Sequence, residues 1–492
     1  MGIYKSLFKQ TAIYGLATVL PRVFSFLLTP LYTDARIMDI NAYGEVSVIF
    51  SWMVMFNVVL AYGMETAFFR FYNSEDKNSV LGTSTISLFW SSILFLVGSI
   101  LFRETIASLT GIDVEYITYT IWILVLDALV IIPFSKLRAT QRPGFYAILK
   151  VGNVALNLVL NIFFLIYLPQ WAKAQPGGFW DGLYLSSFQI GYIFIANLIA
   201  SLLTLLVLLP HYFKLHWQFD RSLWKQMMRY AVPILIAGIA FAINETFDRI
   251  LLDYLLPANI AKAEIGAYSA CYKLALFMTL FATAFRLGIE PFFFSHAQHE
   301  NAKETYAMIT KYFVIFGSVI LLGVVVYADV LKIIIIRDTS YWRAMEVVPL
   351  IILANFFLGI YHNLSVWYKL TDRTRMGAYI SIVGAAVTLG LNFILIPIFS
   401  YIGSAIATIA AYGTMMLLSF WLGSKYYPIP YDMKKIGGYL GLSVVLTTLS
   451  FYFFRENYWI GTLFFLSFLY FVYRNEKQVI LTVLKKSNRN AN

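Results

Sequence analysis

Apolar residues along this chain fall into blocks of about 20, the length that a helix needs to cross a bilayer. The blocks show little helical periodicity, which is typical of helices with apolar surroundings on most faces. Fourteen blocks can be counted, at 11–33, 43–64, 80–102, 116–137, 144–168, 186–209, 229–252, 266–289, 311–328, 345–367, 376–398, 400–422, 437–454 and 458–473. The pattern predicts an all-α polytopic membrane protein with about 14 transmembrane helices.

Short motifs in the first half of the chain return in the second half, in the same order. FKQTAIY at 8–14 matches WKQMMRY at 224–230, and INAYG at 40–44 matches IGAYS at 265–269. GMETAFF at 63–69 matches GIEPFFF at 288–294, and LRATQR at 137–142 matches YKLTDR at 368–373. The offset grows from 216 to 231, as loop insertions would make it do. Internally duplicated polytopic proteins are usually transporters, with the substrate path between the halves.

The duplication predicts two six-helix lobes related by a pseudo-two-fold axis along the membrane normal. The N-terminal lobe is expected at 1–210, a cytoplasmic interfacial linker at 211–228 and the C-terminal lobe at 229–424. Residues 425–492 carry helices 13 and 14 and a cytoplasmic tail, outside the repeat. Aromatic and basic residues alternate in the linker, which is the pattern of a helix lying in the membrane interface.

Composition and charge agree with a membrane protein. Hydrophobic residues make up 60% of the chain and charged residues 13%, against about 45–50% and about 25% in soluble proteins. With a cytoplasmic N-terminus, 26 of the 37 Lys and Arg residues face the cytoplasm and eight face the opposite side. This distribution satisfies the positive-inside rule with both termini cytoplasmic. The net charge of +11 is therefore a topology signal, and no nucleic-acid partner is expected.

Arg22 is predicted at the middle of the first helix, where insertion of an arginine costs about 2.5–3.5 kcal/mol. Two interpretations carry equal weight. Arg22 forms a structural ion pair with an acidic residue of a neighbouring helix, for which Asp127 in the fourth helix is a candidate. Alternatively, Arg22 binds an anion on the wall of a hydrated cavity, as the preceding Pro21 slightly favours, because bent helices cluster at transporter sites.

The seventh predicted helix carries the sequence NETFDR at 244–249. Glu245 and Arg249 are four residues apart and can pair on one face. For Asp248 a self-neutralised, structural cluster is the favoured interpretation. For Glu245 the alternative is a protonatable carboxylate that couples transport to a proton gradient, and for Arg249 it is a substrate contact.

Two further basic residues lie in the eighth helix. Lys273 and Arg286 are 13 residues apart, roughly 20 Å at helical rise. Arg286 fits an interfacial anchor. Lys273 follows the small residues 267–271, which suit a packed interior.

Amides form one stripe on the fifth helix. Lys150, Asn153, Asn157 and Asn161 follow helical spacing, and interhelical hydrogen bonding is the favoured explanation. A sugar-facing cavity wall is the alternative. The HAQHE sequence at 296–300 is expected to be solvated surface rather than a metal site, and no catalytic arrangement is indicated.

The chain resembles the bacterial polysaccharide and O-antigen flippases in its duplicated six-helix halves, its two extra C-terminal helices and its Gly-x-Glu-x-x-Phe-Phe repeat. The segment 63–72 in particular resembles the end of the second helix in that family. These flippases belong to the multidrug/oligosaccharidyl-lipid/polysaccharide exporter superfamily. The resemblance implies export of an undecaprenyl-diphosphate-linked oligosaccharide across the bacterial cytoplasmic (inner) membrane. It also implies rocker-switch alternating access and a cationic central cavity, with Arg22, Arg249, Lys273 and Arg286 as substrate contacts.

The resemblance leaves other features open. No cofactor is expected, although H⁺ or Na⁺ coupling is compatible with the sequence. Expected partners are the lipid-linked oligosaccharide, membrane lipids and other polysaccharide-assembly proteins. By family resemblance, the related lipid II flippases carry a basic residue in the second helix. Residues 46–64 here have none, which counts against membership of that subgroup.

Two alternatives belong to other functional classes. An O-antigen polymerase or membrane glycosyltransferase generally needs a large outer loop with catalytic groups, and the predicted outer loops are short. A drug/cation antiporter of the same superfamily would need carboxylates and little positive charge at membrane depth. Both fit the sequence less well than a flippase.

The charge distribution generates a topology prediction. Reporter domains fused after residue 215 and after residue 492 should both report a cytoplasmic location, since basic loops stay on that side. Alkaline phosphatase and fluorescent-protein fusions measure this, and a periplasmic signal from either would overturn the topology.

Overall fold

The computed structural model describes residues 2–297 and 299–491, with side chains for 13–290, 292, 293, 296, 297 and 299–478. Helices account for nearly all of the described chain, and no strand occurs in it. The α-helices are α1 (Gly2–Leu27), α2 (Thr29–Tyr32), α3 (Ile40–Ala61), α4 (Met64–Tyr72), α5 (Lys77–Leu101), α6 (Arg103–Thr110), α7 (Val114–Leu129), α8 (Ile131–Ala139), α9 (Pro143–Ile162), α10 (Leu168–Ala174), α11 (Phe179–Leu183), α12 (Gln189–Leu208), α13 (Pro210–Phe213), α14 (Arg221–Leu255), α15 (Ala258–Tyr272), α16 (Leu276–His296), α17 (Ala302–Val326), α18 (Ala328–Ile335), α19 (Val347–Leu364), α20 (Val366–Leu370), α21 (Thr374–Tyr426), α22 (Met433–Tyr452) and α23 (Tyr458–Ala491). The all-α prediction is confirmed.

The number of membrane-crossing helices agrees with the predicted count. By length and composition, 11 helical stretches of the described residues can cross a membrane. One of these, α21, consists of two helices that meet at Ser400, where φ is 51° and ψ is −135°. The 20-residue α22 and the longer α23 are each long enough to span about 30 Å. These four helices complete the two halves and the C-terminal pair.

The linker between the halves differs from its prediction. Residues 215–220 are not helical, and 221–228 are the first two turns of α14 rather than a separate interfacial helix. The Asp220 side chain caps α14 by accepting hydrogen bonds from the backbone N–H groups of Ser222 and Leu223. A Cβ at Gly82 would lie 2.8 Å or less from the carbonyl oxygens of His216 and Gln218. This glycine therefore lets the linker backbone lie directly on α5.

The described chain folds into two compact units. The first unit contains the residues up to Ala270, Ile336–Ala344 and Thr374–Ala411. The second contains Cys271–Ile335, Met345–Arg373 and the residues from Tyr412 onward. The first unit thus extends beyond the 211–228 linker, because α14 packs on α3, α4 and α5. The lobe boundaries and the pseudo-two-fold axis stay predictions.

Two glycines bring helices of the first unit into close contact. A Cβ at Gly44 of α3 would lie 1.9 Å from the carbonyl oxygen of Lys262, and one at Gly266 of α15 would lie 2.2 Å from that of Ile40. Only glycine fits at such distances, since a side chain would displace the backbone. The backbones of α3 and α15 therefore touch at the end that the topology prediction places outside.

The Ile336–Ala344 segment packs on the same end of the first unit. Arg337 pairs with Asp34 at 3.3 Å, and the Asp338 N–H donates to the carbonyl oxygen of Thr33 at 3.1 Å. Arg36 also contacts the buried Asp34 carboxylate, at 2.6 Å, and its hydrogen bonds hold the pKa of Asp34 well below the usual range. Asp34 is therefore an ionised anchor for this segment.

In the second unit, two ion-pair clusters fasten α22 and α23 to the helices before them. The Glu476 carboxylate, 2% exposed, lies beyond the apolar stretch 458–473 and pairs with Lys311 at 2.7 Å and Lys435 at 3.2 Å. At the opposite end, Asp329 accepts two hydrogen bonds from Arg455, at 2.8 and 2.9 Å. Because α17 packs on both α22 and α23, these clusters fix the two helices outside the repeat.

The repeated motifs make matching contacts in both halves, although the first follows a helix break at Gly63 (φ 73°) and the second lies within the continuous α16. Glu65 pairs with Arg138 at 2.7 Å, and the matching Glu290 pairs with Lys369 at 2.5 Å. Each basic residue precedes a helix end with a left-handed residue, at Gln141 (φ 51°) and at Asp372 (φ 55°). The duplication inferred from short sequence matches is therefore also a duplication of contacts.

Glu476 generates a stability prediction. Glu476→Gln should lower the free energy of unfolding, because removing one partner of a buried ion pair typically costs about 3–5 kcal/mol. Thermal unfolding in detergent, followed by tryptophan fluorescence, measures the change. Glu456→Gln makes the same charge change at an exposed position and should leave the midpoint nearly unchanged.

The pH dependence should follow the same residue. Burial acts to raise the pKa of Glu476, but hydrogen bonds from Lys311, Tyr439 and Lys435 outweigh it and lower the pKa. A depressed carboxylate pKa stabilises the fold above the unfolded-state pKa, and this stability is lost as the pH falls. The wild type should therefore lose more stability than Glu476→Gln on acidification below about pH 4.5. Equal losses in the two proteins would contradict the assignment.

Candidate functional site

Arg22 lies near the middle of the apolar stretch Ile13–Tyr32. Nine residues separate it from Ile13, roughly 14 Å at helical rise. The helix continues through Pro21 and packs along α9. The side chain is partly buried. Arg22 is therefore predicted to lie far from either membrane surface.

Asp127, the suggested acidic partner of Arg22, faces other groups in the described structure. Its carboxylate accepts a hydrogen bond from the Ser201 hydroxyl of α12 at 2.8 Å. Lys150 of α9 attracts it electrostatically, while the Lys150 ammonium lies 4.4 Å from the ring centroid of Phe134. Asp127 thus holds α7, α9 and α12 together by polar contacts.

The amide stripe of α9 makes the interhelical hydrogen bonds that the sequence favours. The Asn153 amide donates to the Thr204 hydroxyl of α12 at 2.9 Å. Asn161 is fully buried; it accepts from the Tyr32 hydroxyl at 2.8 Å and donates to the Asn157 side chain at 2.7 Å. Contact of these amides with sugar stays a prediction, whereas the contacts of Asn153 and Asn161 with neighbouring helices are observed.

Asp248 lies at the centre of a buried polar cluster. Its carboxylate pairs with the Arg249 guanidinium at 3.0 Å and accepts from the Tyr268 hydroxyl of α15 at 2.6 Å. Arg249 also donates to the Ser269 hydroxyl at 3.3 Å. The favoured, structural interpretation of Asp248 agrees with this geometry, because the cluster ties α14 to α15.

Glu245 projects differently from its neighbours on α14. Its side chain is exposed, whereas those of Asn244 and Thr246 are buried. An exposed carboxylate within an apolar helix needs water or a cation nearby if that face meets the membrane. Its role in coupling stays a prediction.

A buried network of neutral side chains escaped the sequence reasoning. Asn244 accepts from the Thr388 hydroxyl at 2.6 Å, and Asn392 accepts from the Ser404 hydroxyl at 2.6 Å. The Asn392 amide donates to the carbonyl oxygen of Thr388 at 2.7 Å. The spacing of Thr388 and Asn392, four residues apart in an apolar block, was the available signal. The network joins α14 to both helices of α21.

The eighth span is interrupted where Lys273 lies. A 3₁₀ turn at Lys273–Ala275 separates α15 from α16, and Lys273 is partly buried. Such turns inside a long helix often mark hinges or functional positions. The second unit begins at Cys271, so Lys273 lies two residues inside that unit.

Arg286 lines a pocket in the second unit. The pocket is small, with room for about one water molecule, and its polar lining consists of Arg286, Glu290, His362, Asn363, Ser365 and Lys369. The Arg286 guanidinium approaches Nε2 of His362 at 3.5 Å. The structure thus brings Arg286 together with a histidine and a lysine that the sequence did not single out.

Ligand sets for metals are not found in the described part of the chain, where no group of three or more His, Cys, Asp or Glu side chains converges. In the sequence 296–300, the His296 ring stacks on Phe292 with centroids 3.8 Å apart. The candidate substrate contacts are therefore the charged and hydrogen-bonding side chains described above.

Comparison with solved structures shows the fold. The lipid II flippase MurJ, in an inward closed conformation, aligns with a TM-score of 0.73 and 15% identity over 94% of this chain and 99% of its own. An inward-facing multidrug resistance MATE family transporter aligns with a TM-score of 0.61 and 12% identity, over 86% and 95%. A Vibrio cholerae MATE transporter gives 0.56 and 16%, over 86% and 98%. The chain therefore shares the fold of these solved transporters.

Sequence comparison shows the family. No curated protein matches this chain. A family model described as "Polysaccharide biosynthesis protein" matches residues 7–284, which is more than half of the 492 residues. The resemblance to polysaccharide flippases is confirmed at this level, and the chain belongs to the polysaccharide biosynthesis protein family.

Proposed function

We propose that this protein is a flippase that moves an undecaprenyl-diphosphate-linked oligosaccharide from the cytoplasmic to the periplasmic leaflet of the bacterial inner membrane. The main support for this proposal is the position of Arg22 near the middle of an apolar helix. The chain is also a member of the polysaccharide biosynthesis protein family. A diphosphate is the part of such a substrate that needs basic groups on its way through the bilayer.

Arg22 is the first diphosphate contact in this proposal. A guanidinium binds phosphate oxygens through two parallel hydrogen bonds, which an ammonium does not reproduce. Arg249 is held by Asp248 at 3.0 Å, so a substrate contact there requires that this pair opens. Asn153 and Asn157 already bond other side chains, and we assign them to helix packing. Lys273 remains a proposed contact on the interrupted eighth span.

Transport proceeds by alternating access in this proposal. The end of the first unit at Gly44 and Gly266 must then open, and the contacts there suit reversible opening. Arg337 is 55% exposed in its pair with Asp34, and Arg343 is 45% exposed in its pair with Glu264. The carboxylates are only 8% and 16% exposed, and opening this end would return them to water, which offsets part of the cost of separating each pair.

A drug/cation antiporter is the second candidate function. Solved MATE transporters share the fold, with TM-scores of 0.61 and 0.56 in the two cases above. The family match favours a polysaccharide-related substrate over a drug. The partners proposed for this protein are accordingly the lipid-linked oligosaccharide, membrane lipids and other proteins of polysaccharide assembly.

The Arg22 assignment predicts a transport defect. In proteoliposomes with a fluorescent lipid-diphosphate oligosaccharide, Arg22→Ala should slow flipping roughly tenfold or more, since hydrogen bonds to charged groups contribute about 1.5–3 kcal/mol. Arg22→Lys should recover part of the rate, because it keeps the charge without the bidentate geometry. Quenching of the fluorophore in the outer leaflet measures the rate.

Two controls accompany this test. Arg375→Ala removes the same charge from the exposed start of α21 and should flip at the wild-type rate. A fluorescent phosphatidylcholine should not be flipped by the wild type. Wild-type protein that moves both lipids equally, or moves neither, would contradict the proposed function.

The energy source is a separate proposal. In it, Glu245 takes up a proton and changes partner, and the Arg249–Asp248 pair opens, so that Arg249 becomes available to the anionic substrate. Glu245→Gln should then retain some flipping but lose the response to a pH gradient across the vesicle. Flipping rates with and without the gradient measure this loss.

The matched control for Glu245 lies on the same helix. Asp253→Asn removes a carboxylate that pairs with Lys262 at 2.8 Å, and it should keep the gradient response. If Glu245→Gln responds to the gradient as the wild type does, the proton-coupling role of Glu245 is wrong. Glu245 would then form a permanent pair with Arg249, or transport would be coupled to sodium.

A further inference from the structure

A groove lies between α5 and the start of α14, within the first unit. Its volume is about 650 Å³, inside the range of about 300–1,000 Å³ that is usual for ligand sites. Ser87, Trp90 and Ser91 line it from α5, and Trp224 and Met228 line it from α14. Its walls are mainly apolar. We call it the α5–α14 groove.

The few polar atoms in this groove already bond one another. The Trp224 indole N–H donates to the Ser87 hydroxyl at 2.9 Å, and the Ser87 and Tyr62 hydroxyls share a hydrogen bond at 2.8 Å. The Ser91 hydroxyl donates to the carbonyl oxygen of Leu88 at 3.1 Å. A polar guest would have to compete with these bonds, so the groove favours an apolar chain.

The groove lies at the depth of the lipid chains of the predicted cytoplasmic leaflet. Residues 86–91 of α5 lie 6 to 11 positions beyond the start of the apolar block 80–102, roughly 9–17 Å at helical rise. One leaflet supplies about half of a hydrocarbon core of about 30 Å. Trp90 is 63% exposed, so in the predicted topology the groove opens toward the surrounding lipid.

Basic residues lie beside the groove where α14 begins. Arg221 and Lys225 precede the groove residues Trp224 and Met228 by three positions each, which places each pair on one side of the helix. Both basic residues are exposed, and neither takes part in an ion pair within the described residues. The neighbouring Asp220 carboxylate caps α14 instead. Both precede the apolar block 229–252, as expected for residues at the level of lipid headgroups.

We propose that the α5–α14 groove binds one acyl chain of an anionic phospholipid from the cytoplasmic leaflet, and that the lipid phosphate contacts Arg221 and Lys225. A zwitterionic lipid fits less well, because its own cation would face the two basic residues. The groove takes a membrane lipid rather than the transported molecule, so this inference goes beyond the proposed function and does not depend on it.

A bound acyl chain would lie beside the break between α3 and α4. Tyr62, which also lines the groove, is the left-handed residue at the end of α3, with φ 31°. A Cβ at the following Gly63 would lie 2.4 Å from the carbonyl oxygen of Ala231 in α14. The lipid would therefore fill space where α3, α5 and α14 meet, and its binding should stabilise their packing.

The test locates the bound lipid by tryptophan quenching. The full chain is placed in phosphatidylcholine nanodiscs with a minor fraction of phosphatidylglycerol whose acyl chains are brominated, since bromine quenches an indole that it contacts. The difference between the wild type and Trp224→Phe gives the signal of Trp224, which is partly buried in the groove. Brominated phosphatidylglycerol should quench this signal roughly fivefold more efficiently than brominated phosphatidylcholine at the same fraction.

Matched variants separate the charge from the groove. Arg221→Ala combined with Lys225→Ala should abolish the preference for phosphatidylglycerol. Lys425→Ala combined with Lys434→Ala removes two exposed lysines of the second unit and should keep the preference. Ser91→Phe narrows the groove and should lower the quenching of Trp224 by either lipid, while cooperative thermal unfolding shows that this variant is folded.

The proposal is overturned if both brominated lipids quench Trp224 equally in the wild type, or if the variant without Arg221 and Lys225 keeps the preference. Unchanged quenching in folded Ser91→Phe also overturns it, because the chain would then lie outside the groove. Undecaprenyl phosphate without bromine, added at the same fraction, should not relieve the quenching. Relief would assign the groove to an isoprenoid chain and reject the phospholipid.

Discussion

The structure depends on one constraint, that a charge removed from water must find a partner. The buried carboxylates of Asp34, Asp248 and Glu476 each contact an Arg or Lys side chain. Asp127 is held by a serine hydroxyl and the field of Lys150. The excess of 37 basic over 26 acidic residues lies mostly in the predicted cytoplasmic loops and is a topology signal. The basic residues that concern an anionic substrate are those at membrane depth, such as Arg22.

Comparing the two halves of the chain distinguishes contacts that both halves share from residues that occur in only one half. The Glu–base pair and the left-handed helix end recur in both halves, so these contacts serve the fold. Arg286 and His362 have the apolar residues Ala61 and Ile131 at the matching positions of the first half, so their polarity is not part of the repeated framework. The ion pairs of Glu476 and Asp329 also serve the fold, because they attach the two helices that lie outside the repeat.

Sequence reasoning could predict those features that are local along the chain. Apolar block length gave the helical class, and the order of short motifs gave the duplication. The depth of Arg22 followed from counting residues within a block. In the linker, alternating aromatic and basic residues were wrongly interpreted as a separate helix, because the first turns of α14 have the same composition. Asp220, a common N-cap residue, was the signal for the helix start.

Contacts between helices could not be predicted, because they depend on the rotation and crossing of helices that are apolar on most faces. Asp127 was one candidate partner for Arg22 in one of two open interpretations, and its described hydrogen bond is with Ser201. Thr388 and His362 stood out in no motif, and only the folded chain places them beside Asn244 and Arg286. The family followed from sequence, while the proposed substrate contacts rest on where the charges lie.

The central claim is that basic residues at membrane depth bind the diphosphate of the substrate. The most direct measurement is an electron cryomicroscopy structure of the protein with a short-chain pyrophosphate diester bound. The account predicts phosphate density within hydrogen-bonding distance of Arg22. Phosphate density that contacts only basic residues already paired with carboxylates in both halves, Arg138 and Lys369, would contradict it.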